Sequence, residues 1–123
     1  MSDILIVEDE PIISLFLCTN LDHHGLRSHH VVSTETDAID YLRSYTPTLI
    51  LLDVQLKHDG NGLNVAKFSA NSSPNTPIIF MTAYSDETLL KKIKAMGHSY
   101  ILKPFEFKQL HSKIRTAMGQ PTA

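Results

Sequence analysis

The chain reads as a doubly wound α/β domain, with five parallel strands in the order 2-1-3-4-5 and helices on both faces. Three observations predict this. Short apolar runs alternate five times with helical patterns, the mark of βα units built around a parallel sheet. Residues 4–7 (Ile-Leu-Ile-Val) and 49–52 (Leu-Ile-Leu-Leu) are apolar without alternation, as strands covered on both faces are. Four of the five runs end on a reactive side chain and only the second ends on Ser33, which suits an outer place for that strand.

The elements follow in order. Pro11 suits the first turn of a helix after the first strand. Ile12, Leu15, Phe16 and Leu21 are expected to form that helix's apolar face, and Gly25 its C-terminal cap. Residues 26–33 form a weaker, more polar strand. Thr34 and Asp37 have capping-box spacing, and Ala38, Ile39 and Leu42 follow as the buried face of a second helix. Pro47 precedes the most apolar strand. Residues 57–62 (Lys-His-Asp-Gly-Asn-Gly) are a loop by composition. A short helix over 63–70 carries the poor helix formers Asn64 and Ser69, and 71–76 return to loop. Residues 78–81 are the fourth strand. Ser85 can cap the next helix, with Asp86 and Glu87 in its first turn. Leu89, Ile93 and Met96 share its face and Gly97 ends it. Residues 100–102 form the fifth strand, broken by Pro104. Phe107, Leu110, Ile114 and Met118 stripe the last helix. Right-handed crossovers leave few other topologies.

Composition limits the function. With 123 residues, 42% hydrophobic and 20% charged, the chain is one ordinary domain. Scaling predicts a folded surface of ~6,600 Å² against ~20,000 Å² extended, so no disulfide or structural metal is needed. A receptor, a channel and a two-domain dehydrogenase are excluded. The net charge is −2 and no Lys/Arg run exceeds two residues, so nucleic acid is not an expected partner. The single cysteine, Cys18, is expected to pack inertly in the first helix, in a reducing cytoplasm. The first residues form neither a signal peptide nor a membrane span. Residues 1–119 read as the domain and 120–123 as a frayed tail. His23-His24 and His29-His30 flank Gly25 and read as a solvated turn, since no Cys or carboxylate is placed to complete a metal site.

The chemistry gathers where the strands end. Glu8 and Asp9 follow the first strand, Asp53 the third, Thr82 the fourth and Lys103 the fifth. Ligands of open parallel sheets bind at that carboxyl edge. Three carboxylates and one ammonium leave the edge at −2, and crowded carboxylates raise one another's pKa. A hard divalent cation, Mg²⁺ or Mn²⁺, neutralises it, and the all-oxygen donor set suits such an ion. Asp53 can then act as a nucleophile toward phosphorus, with Lys103 and Thr82 stabilising charge on the transferring oxygens.

At these residues the chain resembles the receiver domain of two-component response regulators. The resemblance runs from Ile4-Leu-Ile-Val-Glu-Asp-Glu through Leu51-Leu-Asp and Met81-Thr-Ala to Lys103-Pro-Phe. It implies a flavodoxin-like (βα)5 fold and a module that is not an enzyme in the usual sense. It implies Asp53 as phosphoacceptor, with Asp9 as a direct metal ligand and Glu8 acting through water. The backbone carbonyl of Gln55 would be the third ligand from the protein. Thr82 and the Ala83 N–H would contact the phosphoryl group, Lys103 would pair with another of its oxygens, and Lys103-Pro104 would be cis. Tyr100 matches the aromatic that moves with Thr82. Two departures stand out. Leu56 and Lys57 occupy the positions where many members have Met-Pro, and Glu8 stands where Asp is commoner.

The resemblance implies a sensor histidine kinase or phosphotransfer protein as donor and a downstream protein as target. The expected target surface is the fourth helix, fifth strand and fifth helix, which also serves a monomer or weak dimer; Leu90, Lys91 and Lys94 are expected to be exposed there. The chain is expected to stand alone, with excision from a hybrid kinase or multidomain regulator as the alternative. An Asp-nucleophile phosphatase of the haloacid dehalogenase type needs an acid where Gln55 stands. A flavodoxin-like phosphate binder is opposed by Glu8-Asp9-Glu10.

Gln55 and Tyr84 flank the expected path of an attacking water, and the Tyr84 ring is expected to exclude it, giving a slow autodephosphorylation. Tyr84→Ala should speed decay of the labelled chain about tenfold, or ~1.4 kcal/mol of barrier. An equal or slower decay would refute the shielding role.

Overall fold

Strand polarity sets strand position in the computed structural model, which describes residues 3–56, 60–83 and 87–119. β1 (Ile4–Val7), β3 (Leu49–Asp53) and β4 (Ile78–Thr82) are buried at every position. They are the three inner strands of a parallel sheet ordered β2-β1-β3-β4-β5. The more polar β2 (His29–Val32) and β5 (Ser99–Leu102) take the two edges, where one side of a strand meets water. The surface of 6,999 Å² is close to the value expected from mass.

Side chains alternate across the sheet and divide the core in two. Leu5, Val7, Ile50, Leu52, Ile78 and Phe80 face α2 (Glu35–Ser44), α3 (Gly62–Ser72) and α4 (Glu87–Ala95). Ile4, Ile6, Leu49, Leu51, Ile79 and Met81 face α1 (Pro11–His23) and α5 (Phe107–Ala117). Thr34 caps α2 by accepting the Asp37 N–H at 3.0 Å. Ala38 and Leu42 are buried beneath it, with Ile39 only half-buried. Gly25 and Gly97, at φ +80° and +82°, follow α1 and α4 in the left-handed conformation that glycine tolerates.

Five elements differ in their bounds from the sequence expectation. α3 is longer than 63–70 and reaches Ser72. Asn61 caps it by accepting the Leu63 N–H at 2.8 Å, and Val65, Ala66 and Ser69 are buried along it; packing overrides weak propensity. β2 is confined to four residues, and strands three to five each gain one.

The larger correction concerns α1. Ile12 is 82% exposed, Leu15 67% and Phe16 39%. The buried stripe is Leu17 and Leu21, with Ile13 and Cys18 packed beside them. This helix is apolar around most of its girth, so its pattern does not say which stripe meets the sheet; packing selects Ile13, Leu17 and Leu21, which share one face. Of the predicted face only Leu21 is fully buried. Phe16 is anchored edge-on by Phe105 and Phe107, with centroids 6.4 and 6.2 Å away. Leu90 is likewise half-buried against the core, whereas Lys91 and Lys94 are exposed. Ser85, Asp86 and residues 120–123 lie outside the described residues. Among the described residues no helix is long and apolar enough to cross a membrane.

Leu17→Ala should destabilise the domain by about 2–5 kcal/mol. Leu15→Ala should stay within about 0.5 kcal/mol of wild type. Urea denaturation of the two variants distinguishes this register from the opposite one.

Candidate functional site

Strand register brings the predicted residues to one edge. Val7 pairs with Leu52, so Glu8 and Asp53 emerge side by side from adjacent strands. Thr82 pairs with Leu102, and the Lys103 N–H continues the ladder to the Thr82 carbonyl at 2.8 Å. Carboxylate oxygens of Glu8, Asp9 and Asp53 lie within 4.8 Å of one another. Lys103 Nζ donates to Glu8 Oε1 at 3.1 Å and to Asp53 Oδ2 at 3.3 Å. A cavity of about 260 Å³ opens on this cluster, lined by Glu10, Asp53, Gln55, Thr82, Ala83 and Lys103 among others. The peptide between Lys103 and Pro104 is cis.

Burial shapes the electrostatics. Glu8 and Thr82 are each 1% exposed and Asp53 7%. Loss of solvent, and then the Asp53 charge, push the Glu8 carboxyl up to about 7, against the pull of Lys103 and the Glu10 N–H. For Lys103, burial works against the charged form. The Asp53 and Glu8 carboxylates and their hydrogen bonds outweigh it, so its pKa is raised and the ammonium persists. Three close carboxylates, with no nitrogen or sulfur donor among them, fit a hard divalent cation.

Two backbone features position Asp53. A Cβ on Gly62 would stand 2.2 Å from the Asp53 carbonyl oxygen, and the Gly62 N–H donates to the Val54 carbonyl at 2.9 Å. Only glycine allows α3 to start this close to the end of β3. The Gln55 N–H donates to Asp53 Oδ1 at 3.1 Å, and Gln55 also bridges to Asn61.

Sequence reasoning missed Glu35. This side chain, at the start of α2, accepts the Asn61 N–H at 2.9 Å and the Asn64 side-chain amide at 3.1 Å. Those bonds hold its carboxyl below the usual range. It ties the loop after β3 to a neighbouring helix, on a segment that lacks the family's Met-Pro. No local pattern marks a contact between residues 26 and 29 positions apart.

Tyr100 is placed elsewhere. It is half-buried on β5 and lines a groove on the outer side of that strand. Tyr84 and Lys57 lie outside the described residues. The turn at His23, His24 and Gly25 is solvent-exposed, as expected, and two histidines make specific contacts beside it. His29 Nε2 sits 2.8 Å from Asp22 Oδ1, and His24 packs on Phe107 and His111, with centroids 5.1 and 4.3 Å away. Cys18 is half-buried beside the α1 core contacts, and burial raises its thiol pKa.

Residues 4–115 match the family described as the response regulator receiver domain. The chain belongs to this family. Response regulator receivers are phosphoacceptor signalling modules of two-component systems, not enzymes of the usual kind. The regulatory protein KdpE of the Escherichia coli KDP operon is 34% identical over 126 residues, covering all of this chain and 54% of KdpE. The luminescence regulatory protein LuxO of Vibrio campbellii is 32% identical over 117 residues, covering 94% of this chain and 25% of LuxO. The chain thus spans a quarter to a half of these bacterial regulators. The receiver domain of NtrX from Brucella abortus superposes with a TM-score of 0.87 at 21% identity, covering 97% of this chain and all of that one. The receiver domain of histidine kinase PA1611 from Pseudomonas aeruginosa, solved with magnesium in its active-site cleft, gives 0.84 at 23% identity, covering 97% and 98%. These likenesses confirm the receiver fold.

The raised Glu8 pKa sets a pH dependence. The folded chain holds this proton up to about pH 7, and the unfolded chain releases it near its ordinary value of 4.5. Between these values the native state binds more proton, so this group's contribution to stability falls as pH rises. Thermal melts of the chelated protein from pH 5 to 7.5 should show the decline, and Glu8→Gln should flatten it.

Proposed function

We propose that this receiver takes a phosphoryl group onto Asp53 from the phosphohistidine of a sensor histidine kinase or phosphotransfer protein. The observation that supports this best is the Lys103 ammonium shared between Asp53 and Glu8, at the mouth of a cavity that Thr82 also lines. A carboxylate oxygen of Asp53 forms the new bond to phosphorus as the phosphorus–nitrogen bond breaks. The electron pair returns to the donor imidazole, whose other ring nitrogen carries a proton, so the aspartate becomes an acyl phosphate and the donor a neutral histidine. Lys103 faces one transferring oxygen, while the Thr82 hydroxyl and Ala83 N–H face others; each is fixed at a strand end before the donor arrives, which favours the charge of the transition state.

Asp9, Asp53 and the Gln55 carbonyl would hold Mg²⁺ or Mn²⁺ directly, with Glu8 acting through water. When bound, the cation offsets the carboxylate charge and that of the incoming phosphoryl oxygens. The magnesium reported for the PA1611 receiver supports this assignment. The donor's flanking surface has an apolar seat beside the site, a cavity of about 530 Å³ lined by Ile12, Phe16 and Phe105 that shares Ala83 and Lys103 with the acidic cavity. Output then passes through Thr82 and Tyr100 to the face of α4, β5 and α5. Gln55 and Tyr84 tune the lifetime of the acyl phosphate. This takes place in the cytoplasm. A second reading, a receiver within a hybrid kinase or multidomain regulator, is favoured by the length of KdpE and LuxO.

Acetyl phosphate with Mg²⁺ should add one base-labile phosphoryl group, seen by intact mass, and Asp53→Asn should abolish it. Labelling of the variant at the wild-type level would refute the assignment. Saturating Mg²⁺ should raise stability by roughly 2.7 kcal/mol at 100 times its dissociation constant, and Asp9→Ala should remove most of that gain.

A further inference from the structure

Gln55 differs from the other groups assigned to the metal. Asp9 and Asp53 offer side-chain oxygens, which can rotate toward a cation. Gln55 offers a backbone carbonyl, so the main chain itself must be held in place. It lies just beyond the end of β3 and is exposed, so core packing does not hold it. Two sets of contacts do. Its N–H donates to Asp53 Oδ1 at 3.1 Å. Its backbone pairs with Asn61 in an isolated antiparallel bridge, and the flanking Gly62 N–H donates to the Val54 carbonyl at 2.9 Å. The place of Gln55 therefore depends on the place of Asn61, which is itself exposed.

Asn61 is gripped from another helix. Glu35 Oε1 accepts the Asn61 N–H at 2.9 Å and the Asn64 side-chain amide at 3.1 Å. Asn61 caps α3 and Asn64 lies in its first turn, so one oxygen holds the helix start at two points. The approach is close: a Cβ on Gly60, whose φ is +96°, would stand 2.3 Å from the Glu35 Cβ. Glu35 has a firm base. It opens α2 directly after the Thr34 cap, and Ala38 and Leu42 anchor that helix in the core.

We propose that Glu35 is a positioning residue for the metal: through Asn61 it sets the place of the Gln55 carbonyl, and with it the affinity and selectivity of the site for Mg²⁺. This role rests on the reading above that the Gln55 carbonyl is a metal ligand, and adds the residue outside the cluster that controls it. Groups that orient a ligand commonly change metal affinity by about 10–100-fold when removed. Mg²⁺ demands a near-octahedral set of oxygens, whereas Ca²⁺ accepts variable number and geometry. A carbonyl freed to wander should therefore weaken Mg²⁺ more than Ca²⁺. The other route, a direct pull of the Glu35 charge on the cation, would act on both ions alike and would fade with salt.

The test titrates the full chain with Mg²⁺ and, separately, with Ca²⁺, by calorimetry and amide shifts, without phosphodonor. Glu35→Ala should weaken Mg²⁺ binding roughly tenfold and Ca²⁺ binding by less than about threefold. Glu35→Gln keeps an acceptor oxygen at the same reach and removes the charge. It should return Mg²⁺ affinity to within about threefold of wild type. Equal losses in the Gln and Ala variants would assign the effect to charge and overturn the positioning role. Equal losses for the two ions would overturn it too, because a general loosening of the fold does not discriminate between them. In the wild type the coupling is reciprocal: Mg²⁺ should shift the Asn61 backbone amide and the Asn64 side-chain amide. Indifference of both to the metal would refute the role without any variant. A wild type that binds no Mg²⁺ would remove the metal assignment and this role with it. Wild-type binding with unchanged affinity in Glu35→Ala would remove this role alone.

Discussion

Three carboxylates held against a single ammonium at the carboxyl edge of the sheet are the constraint on which the rest of this molecule depends. Glu8, Asp9 and Asp53 bring their oxygens within 4.8 Å of one another, and Lys103 spans two of them. Close like charges are tolerated only where something neutralises them. Here three answers are built in together: the lysine, a proton held on Glu8 up to about pH 7, and a donor set that a divalent cation fits.

The scaffold serves that cluster from the backbone outward. Parallel strands all end on the same side, so five separate chain segments deliver their next residues to one edge. The inner strands do this rigidly because they are buried on both faces. Behind Asp53, α3 begins so close to the β3 backbone that only glycine fits at position 62. Glu35 then ties the start of α3 to α2.

Two surfaces diverge from the site, with different physics. Toward α1 the lip is apolar, and Ile12 and Leu15 project into solvent. Toward β5 and α5 it is basic around a half-apolar floor. Lys103-Pro104-Phe105 belongs to both, since Lys103 pairs with Asp53, Pro104 lines both grooves and Phe105 packs edge-on against Phe16. The two surfaces therefore meet on one short segment.

The sequence by itself determined the element order, the parallel sheet and its strand order, and the residues of the acidic site. Each is encoded locally: a strand buried on both faces is continuously apolar, and a carboxylate directly after such a run stands out against it. Tertiary structure decided what local patterns leave degenerate. α1 is apolar on most sides, so Leu17 and Leu21 are its core contacts only because the 13-17-21 stripe meets the sheet. α3 extends past weak helix formers because its buried face packs well. Glu35 joins the site's support, and His24 meets His111, across separations that leave no periodic trace. Packing is a relation between distant segments, and a linear pattern records only the residues available for it.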